Sequence, residues 1–157
     1  MTSATMPIST TDDITVESKL LGTLSVPVTQ TYQFSSGIYG FPKAIRFALV
    51  PAERSGFFWL QSLDFEALAF LLVDPFQFVE DYSVELVQGD LDELQAADPA
   101  EVLVLAILTL PKSDDDETTV NLQGPIALNV VERVGRQVVI ESEYGLRERV
   151  DLSAPSD

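Results

Sequence analysis

The chain contains no histidine and no cysteine. Without an imidazole or a thiol, no Ser–His or Cys–His pair can form, and a zinc site of imidazole and thiolate ligands is excluded. A disulfide framework is excluded as well, and the lack of cysteine fits a reducing compartment. Phosphate-cradling signatures are missing: neither a GxxxxGKS/T loop nor GxGxxG occurs. Long apolar runs are missing too. The longest, Ala67 to Val73 and Val102 to Leu110, are far shorter than the roughly 20 residues a membrane helix needs. The N-terminal MTSATMPISTTDD has neither the basic region nor the apolar stretch of a signal peptide. A soluble, cytoplasmic protein with no membrane partner is expected.

Positive charge is the scarcest property. Lys and Arg number 9 against 25 Asp and Glu, a net charge of −16. Between Arg54 and Lys112 there is no basic residue, while Asp64, Glu66, Asp74, Glu80, Asp81, Glu85, Asp90, Asp92, Glu93, Asp98 and Glu101 all fall there. Four more carboxylates follow at Asp114 to Glu117. A folded domain with this distribution carries a negative field that repels nucleic acid and attracts basic protein surfaces. The chain does have the means to fold. Its 46% hydrophobic content, nine Phe and charged fraction of only 22% set it apart from disordered acidic chains.

Residues 1–13, rich in Ser, Thr and Asp, read as a flexible leader, 14–152 as one domain and 153–157 as a flexible tail. Period-2 alternation marks strands at Ile14–Ser18, Leu24–Val28, Ile45–Leu49 and Tyr82–Leu86, the last pointing Glu85 outward. Pro27 marks its strand as an edge. Short apolar runs add Phe57–Gln61 and Val102–Leu110, the latter expected to be covered on both faces. Arg133-Val134-Gly135-Arg136 reads as a hairpin turn between Val130–Glu132 and Gln137–Glu141, and Tyr144–Val150 supplies a final strand. Asp90, with Glu93 three residues on, predicts an N-capped short helix before Pro99. Asp64–Val73 fits either a helix or a loop entering a buried strand. The sum is an all-β, mainly antiparallel sheet of eight to ten short strands. It should curl into a small closed or nearly closed barrel or roll, with one or two short helices.

Carboxylates are the only candidate acid–base groups. Asp64 with Glu66, Glu80 with Asp81, and Asp114–Asp116 could take a divalent cation, which keeps a metal-dependent hydrolase as an alternative. None has EF-hand spacing, and charge runs are ordinarily solvated faces. The aromatics Phe57, Phe58, Trp59, Phe65, Phe70, Phe76 and Phe78 lack the Lys and Arg that accompany rings in nucleic-acid grooves, so most read as core. A small-ligand barrel is the second alternative, and it requires an apolar cavity. Asn121, Gly124, Pro125 and Asn129 read as a turn entering a strand, and Asp74-Pro75 as a turn initiator.

Taken in order, FSSGIYGFP (Phe34–Pro42), FFWLQSLD (Phe57–Asp64), LAFLLVDPFQFVEDYSVEL (Leu68–Leu86), VLVLAILTLP (Val102–Pro111), TVNLQGPIALN (Thr119–Asn129) and RQVVIESEYGLRERV (Arg136–Val150) resemble the bacterial flagellar assembly factor FliW family over about Ile14 to Leu152. The family's Asn-Leu-x-x-Pro element is matched by Asn121, Leu122 and Pro125, its Leu-Gln-Ser by Leu60, Gln61 and Ser62, and its Asp-Pro and following Tyr by Asp74, Pro75 and Tyr82. Two departures stand out. The family's Gly-Ile-Pro-Gly-Phe is Gly37-Ile38-Tyr39-Gly40-Phe41 here, and the leader is longer. The resemblance implies a non-enzymatic, cofactor-free β-barrel with two protein partners. One is flagellin, held as by a chaperone; the other is CsrA, a basic RNA-binding translational repressor that the flagellin-free factor antagonises. No direct contact with nucleic acid is expected. Glu80, Asp81 and Glu85 are the candidate acidic rim, with Phe58, Gln61, Asp74 and Tyr82 beside it and Asn121 and Asn129 as further candidates.

Overall fold

The structure, a computed structural model, describes residues 13–79, 81–111, 113, 117–140, 145 and 147–150. The expected leader and tail fall outside these residues, except Asp13, which opens the first strand. Among the described residues the strands are β1 (Asp13–Ser18), β2 (Gly22–Pro27), β3 (Thr31–Gln33), β4 (Arg46–Pro51), β5 (Phe57–Ser62), β6 (Ala69–Val73), β7 (Val102–Thr109), β8 (Thr119–Val120), β9 (Ile126–Asn129), β10 (Val134–Gln137) and β11 (Glu148–Arg149). The one α-helix, α1, spans Gln88–Glu93, between β6 and β7.

Seven strands close on themselves in the order β7-β6-β5-β4-β3-β10-β9, with β9 returning to β7. Every neighbouring pair is antiparallel except β3 with β10, which meet in parallel through Val134 and Gln33. On the edge of β7 that faces β9, Val102–Leu105 pair with β9 and Leu108–Thr109 with β8, which carries β11. The Asn121–Pro125 turn between β8 and β9 interrupts that edge and lets the chain round the corner of the barrel.

Strand alternation sorts the side chains. Phe47 and Leu49, Leu60, Leu72, Leu105, and Ile126 and Leu128 meet with Tyr32, Phe34, Ile38 and Ala44 in one buried cluster. They fill the barrel as a packed core, not as the wall of a ligand cavity. Each such Leu or Phe contributes roughly 1.5–3 kcal/mol relative to exposure. Phe34 stands edge-on to Phe47, ring centroids 5.1 Å apart. The outer faces are covered in two places. Val16 and Val26 of the β1–β2 hairpin pack on Ala48 of β4. Residues 74–98 form a strap whose Tyr82, Leu91 and Leu94 pack over Phe57, Val73, Ala106, Leu108 and Ala127.

Several expectations are corrected. Residues 82–87 form no strand, although Tyr82, Val84 and Leu86 still turn inward and Asp81, Ser83 and Glu85 outward. Alternation recorded one-sided burial there, not a ladder. The helix begins two residues before Asp90, which is its third residue and accepts the Val87 N–H at 3.2 Å instead of capping it. The reciprocal Asp–Glu cap lies further on. The Asp98 carboxylate accepts the Ala100 N–H at 2.9 Å, and Glu101 accepts the Ala97 and Asp98 N–H groups. The hairpin turn sits at residues 130–133, and Val134–Gln137 are strand. Asn129 sets that position by accepting the Val131 and Glu132 N–H groups, while Arg133 adopts φ 59°. The open choice at Asp64–Val73 resolves as a loop entering β6. Leu105, Ala106 and Leu108 of β7 are covered, but Leu103 and Leu110 are exposed. Glu141 and Tyr144, expected in strands, lie outside the described residues.

Gly135 has a demanding environment. A Cβ there would lie 2.4 Å from Phe34 Cζ, and the fully buried Phe34 ring has little room to give. Gly135→Ala should therefore cost about 1–3 kcal/mol, as overpacking does. The expected result is a lower urea midpoint, partly restored by Phe34→Leu; an unchanged midpoint would mean that the ring moves freely.

Candidate protein-binding site

The strap carries eight described carboxylates from Asp74 to Glu101 and no basic residue. Among the described residues, the cation that pairs with its acids is Arg136 of β10. Its Nε donates to Asp90 Oδ1 at 2.9 Å, and its Nη1 meets Glu93. Asp90 is buried, so this pair fastens α1 to the barrel. Glu93 also accepts the Ser36 hydroxyl at 2.6 Å, which ties the loop after β3 to the same helix. With Arg136 committed to these two acids, Asp81, Glu85, Asp92, Asp98 and Glu101 remain exposed along the strap. Two apolar side chains stand among them. Phe76 is 48% exposed, with its ring 5.6 Å from that of Tyr82, and Val87 is also exposed.

The candidates named from sequence divide by location. Asp81 and Glu85 are on the exposed strap; Glu80 lies outside the described residues. Asp74 is half-buried and caps the 3-10 turn Pro75–Gln77, accepting the Phe76 N–H at 3.0 Å. Tyr82 is buried, and its hydroxyl donates to the Leu122 carbonyl at 2.7 Å. Phe58 is half-buried against the barrel core. Gln61 is fully buried, its Nε2 donating to the carbonyls of Ser62 at 2.9 Å and Glu66 at 3.2 Å. Asn121 accepts the Gln123 and Gly124 N–H groups. Asn129 is buried and donates to the Leu94 carbonyl at 2.9 Å, joining the end of α1 to the β9–β10 hairpin. Among the described members of the set, only Asp81 and Glu85 are exposed. Phe76, Val87, Asp92 and Asp98 are also exposed along the strap but were not singled out as binding candidates from sequence. The available signal was an aromatic beside the Asp-Pro turn.

Asp64 is engaged by the backbone at the start of β4. Its Oδ2 accepts the Ile45 and Arg46 N–H groups at 2.9 Å each, and the Arg46 guanidinium lies 3.6 Å away. The Arg46 N–H chiefly, then the Ile45 N–H and the Arg46 charge, hold its carboxyl below the usual range against a partial burial that opposes them. Among the described residues no three acidic side chains converge as a metal cage would require. No described helix is long and apolar enough to cross a membrane.

Fold and surface together define a small, side-chain-filled seven-stranded β-barrel with an acidic outer strap. The FliW protein family model matches residues 15–150. A flagellar assembly factor FliW of Treponema pallidum is 40% identical over 125 residues, covering 80% of this chain and 83% of the relative. One of Moorella thermoacetica is 38% identical over 138 residues, 87% of each. A crystal structure of the flagellar assembly factor FliW matches with a TM-score of 0.78 at 33% identity, covering 87% of this chain and 96% of that one. The chain belongs to the FliW family of flagellar assembly factors.

The departure at residues 37–41 has a structural answer. Phe41 N–H donates to the Ile38 carbonyl at 2.7 Å with Gly40 at φ 89°, the arrangement of a type II turn, which favours proline at its second position. Tyr39 occupies that position, and its N–H, which a proline would lack, donates to Gln137 Oε1 at 2.9 Å.

Two predictions follow from these contacts. Arg136→Leu strands a buried carboxylate and should cost about 3 kcal/mol, with faster hydrogen exchange confined first to α1. Asp90→Asn in that background should recover part of the loss; no change in midpoint would show the pair to be incidental. For Asp64, a lowered folded-state pKa stabilises above the unfolded value of roughly 4 and ceases to do so as pH falls through the folded one. The stability gap between wild type and Asp64→Asn, read from urea midpoints, should therefore shrink from pH 7 down to about pH 3. A gap independent of pH would refute the electrostatic origin.

Proposed function

We propose that the protein works in the cytoplasm as a non-enzymatic flagellar assembly factor that docks two proteins in turn. One is flagellin, held in a chaperone-like complex. The other is CsrA, whose repression of flagellin synthesis it relieves once flagellin has been exported and the factor is free. The observation that carries this reading is the strap of exposed carboxylates, beside which Arg136 is neutralised on Asp90 and Glu93. A basic RNA-binding protein is steered to such a face from long range. Once docked, carboxylates held within about a Debye length, ~8 Å at physiological salt, repel RNA phosphates without covering the RNA site. Asp81 and Glu85 form the rim of this face, and Phe76 and Val87 supply apolar contact within it.

Charge reversal of Glu80, Asp81 and Glu85 to Lys should slow CsrA association about tenfold or more at low salt, and the difference should fade as screening grows toward about 0.5 M. Stopped-flow association rates measure this, with circular dichroism confirming an intact fold. Unchanged rates would place the docking face elsewhere, and salt-independent release of RNA would remove the repulsion mechanism.

A further inference from the structure

At one mouth of the barrel lies a groove of about 460 Å³ whose chemistry is opposite to that of the strap. Residues 40–44 form one wall and Phe65, Ala67 and Leu68 the other. Its surface is almost wholly apolar, and Phe41 and Phe65 are 42% and 47% exposed within it. The walls are held open by structure. Phe41 leans edge-on against Phe70, centroids 5.6 Å apart. The Ile38–Phe41 turn and the Ala44 N–H bond to the Phe41 carbonyl hold residues 38–44 in a compact fold. Gly37 packs so tightly beneath them that a Cβ would stand 2.9 Å from the Phe41 carbonyl oxygen. On the opposite wall, the Phe65 N–H donates to the Ser62 hydroxyl at 2.9 Å. Two phenylalanines kept half in water by a braced backbone are the kind of aromatic anchor that a partner's apolar side chains cover.

The charges around the groove are mixed, with the exposed carboxylates Asp64 and Glu66 on either side of Phe65 and a lysine on the opposite wall. Lys43 is part of its wall, and Lys19 follows through the bond from its N–H to the Glu66 carbonyl at 2.9 Å. Among the described residues neither lysine has an ion-pair partner. An amphipathic segment with an apolar stripe flanked by carboxylates fits both the groove and its lysines.

We infer that this groove, separate from the acidic strap, holds the apolar assembly face of monomeric flagellin, with a flagellin carboxylate paired to Lys43. This rests on the reading of flagellin as a partner given above. A subunit that polymerises by burying apolar surface exposes that surface while it is a monomer, and a protein that holds the monomer must offer apolar area to cover it. Carboxylates cannot do this, and the groove can. The two faces nonetheless adjoin, because the loop that builds the groove is bonded to α1 through Ser36 and Glu93. A folded protein seated on one therefore crowds the other, and this allows the partners to exchange although their contacts differ.

The test uses the full chain with purified monomeric flagellin and purified CsrA in parallel titrations. Phe65→Asp, which alters an exposed ring and leaves its backbone bonds in place, should weaken flagellin binding about tenfold or more, equivalent to roughly 1.4 kcal/mol, while CsrA affinity stays within about twofold. Lys43→Glu should weaken flagellin binding several-fold, with a smaller effect at high salt. Asp81→Lys with Glu85→Lys should show the converse selectivity. Phe41→Ser is a second groove variant, but its contact with Phe70 makes a thermal melt necessary, and Phe65→Asp decides if it is unstable. Flagellin affinity unchanged in Phe65→Asp, or equal loss for both partners, overturns the groove assignment. Failure of the wild-type chain to bind flagellin would instead overturn the partner itself, and the control titration shows which has failed.

Discussion

The barrel closes across a seam one residue pair long. Val134 meets Gln33, supported by the Gln33 N–H bond to the Arg133 carbonyl at 3.1 Å. A ladder this short contributes little backbone bonding, so side-chain packing must hold it. Phe34 does so by seating its ring where Gly135 has no side chain. From the seam, β10 and the residue before it reach other parts of the molecule. Arg136 fastens α1, and Gln137 joins the Tyr39 turn and the Gly124 carbonyl. Arg133, just before the strand, donates to the Val28 carbonyl at 2.9 Å. The acidic strap and the apolar groove are thus both secured by the strand that completes the barrel.

This arrangement explains how a protein with so large a net charge stays folded around its acids. Repulsion among the strap carboxylates is tolerable because few are buried, and the buried one, Asp90, has a guanidinium at hydrogen-bond distance. The remaining acids stand in water, where mutual repulsion is screened. What holds the strap down is apolar: Tyr82, Leu91 and Leu94 against the outer faces of β5, β6, β7 and β9. Charge can then serve recognition without being a main support of the fold.

The polar residues of the family's sequence elements have a similar logic. Gln61, Asn121 and Asn129 bind backbone groups at corners where the sheet cannot pair with itself, and Tyr82 caps the Leu122 carbonyl from the strap. Their side chains are occupied with holding the architecture, which leaves the surface to residues whose identity matters through charge and exposure. Tyr39 follows the same rule: at the second position of its turn, a hydrogen bond from its N–H to Gln137 takes over the role of a restricted φ.

Much of this was written locally in the chain. Period-2 alternation located β1, β2 and β4, an apolar run located β5, the absence of His and Cys removed whole classes of chemistry, and the base-free stretch fixed the sign of the strap's field. These are properties of neighbouring residues and of composition, so no fold is needed to read them. Tertiary structure decided the rest, because it concerns residues far apart in sequence. Arg136 looked like part of a turn until Asp90 and Glu93, more than 40 positions away, became its partners. Residues 82–86 looked like a strand because burial on one side leaves the same alternation whether or not a ladder forms. Which acids face solvent and which phenylalanines line a groove depended on closure of the barrel, since closure alone determines which side of each strand is inside.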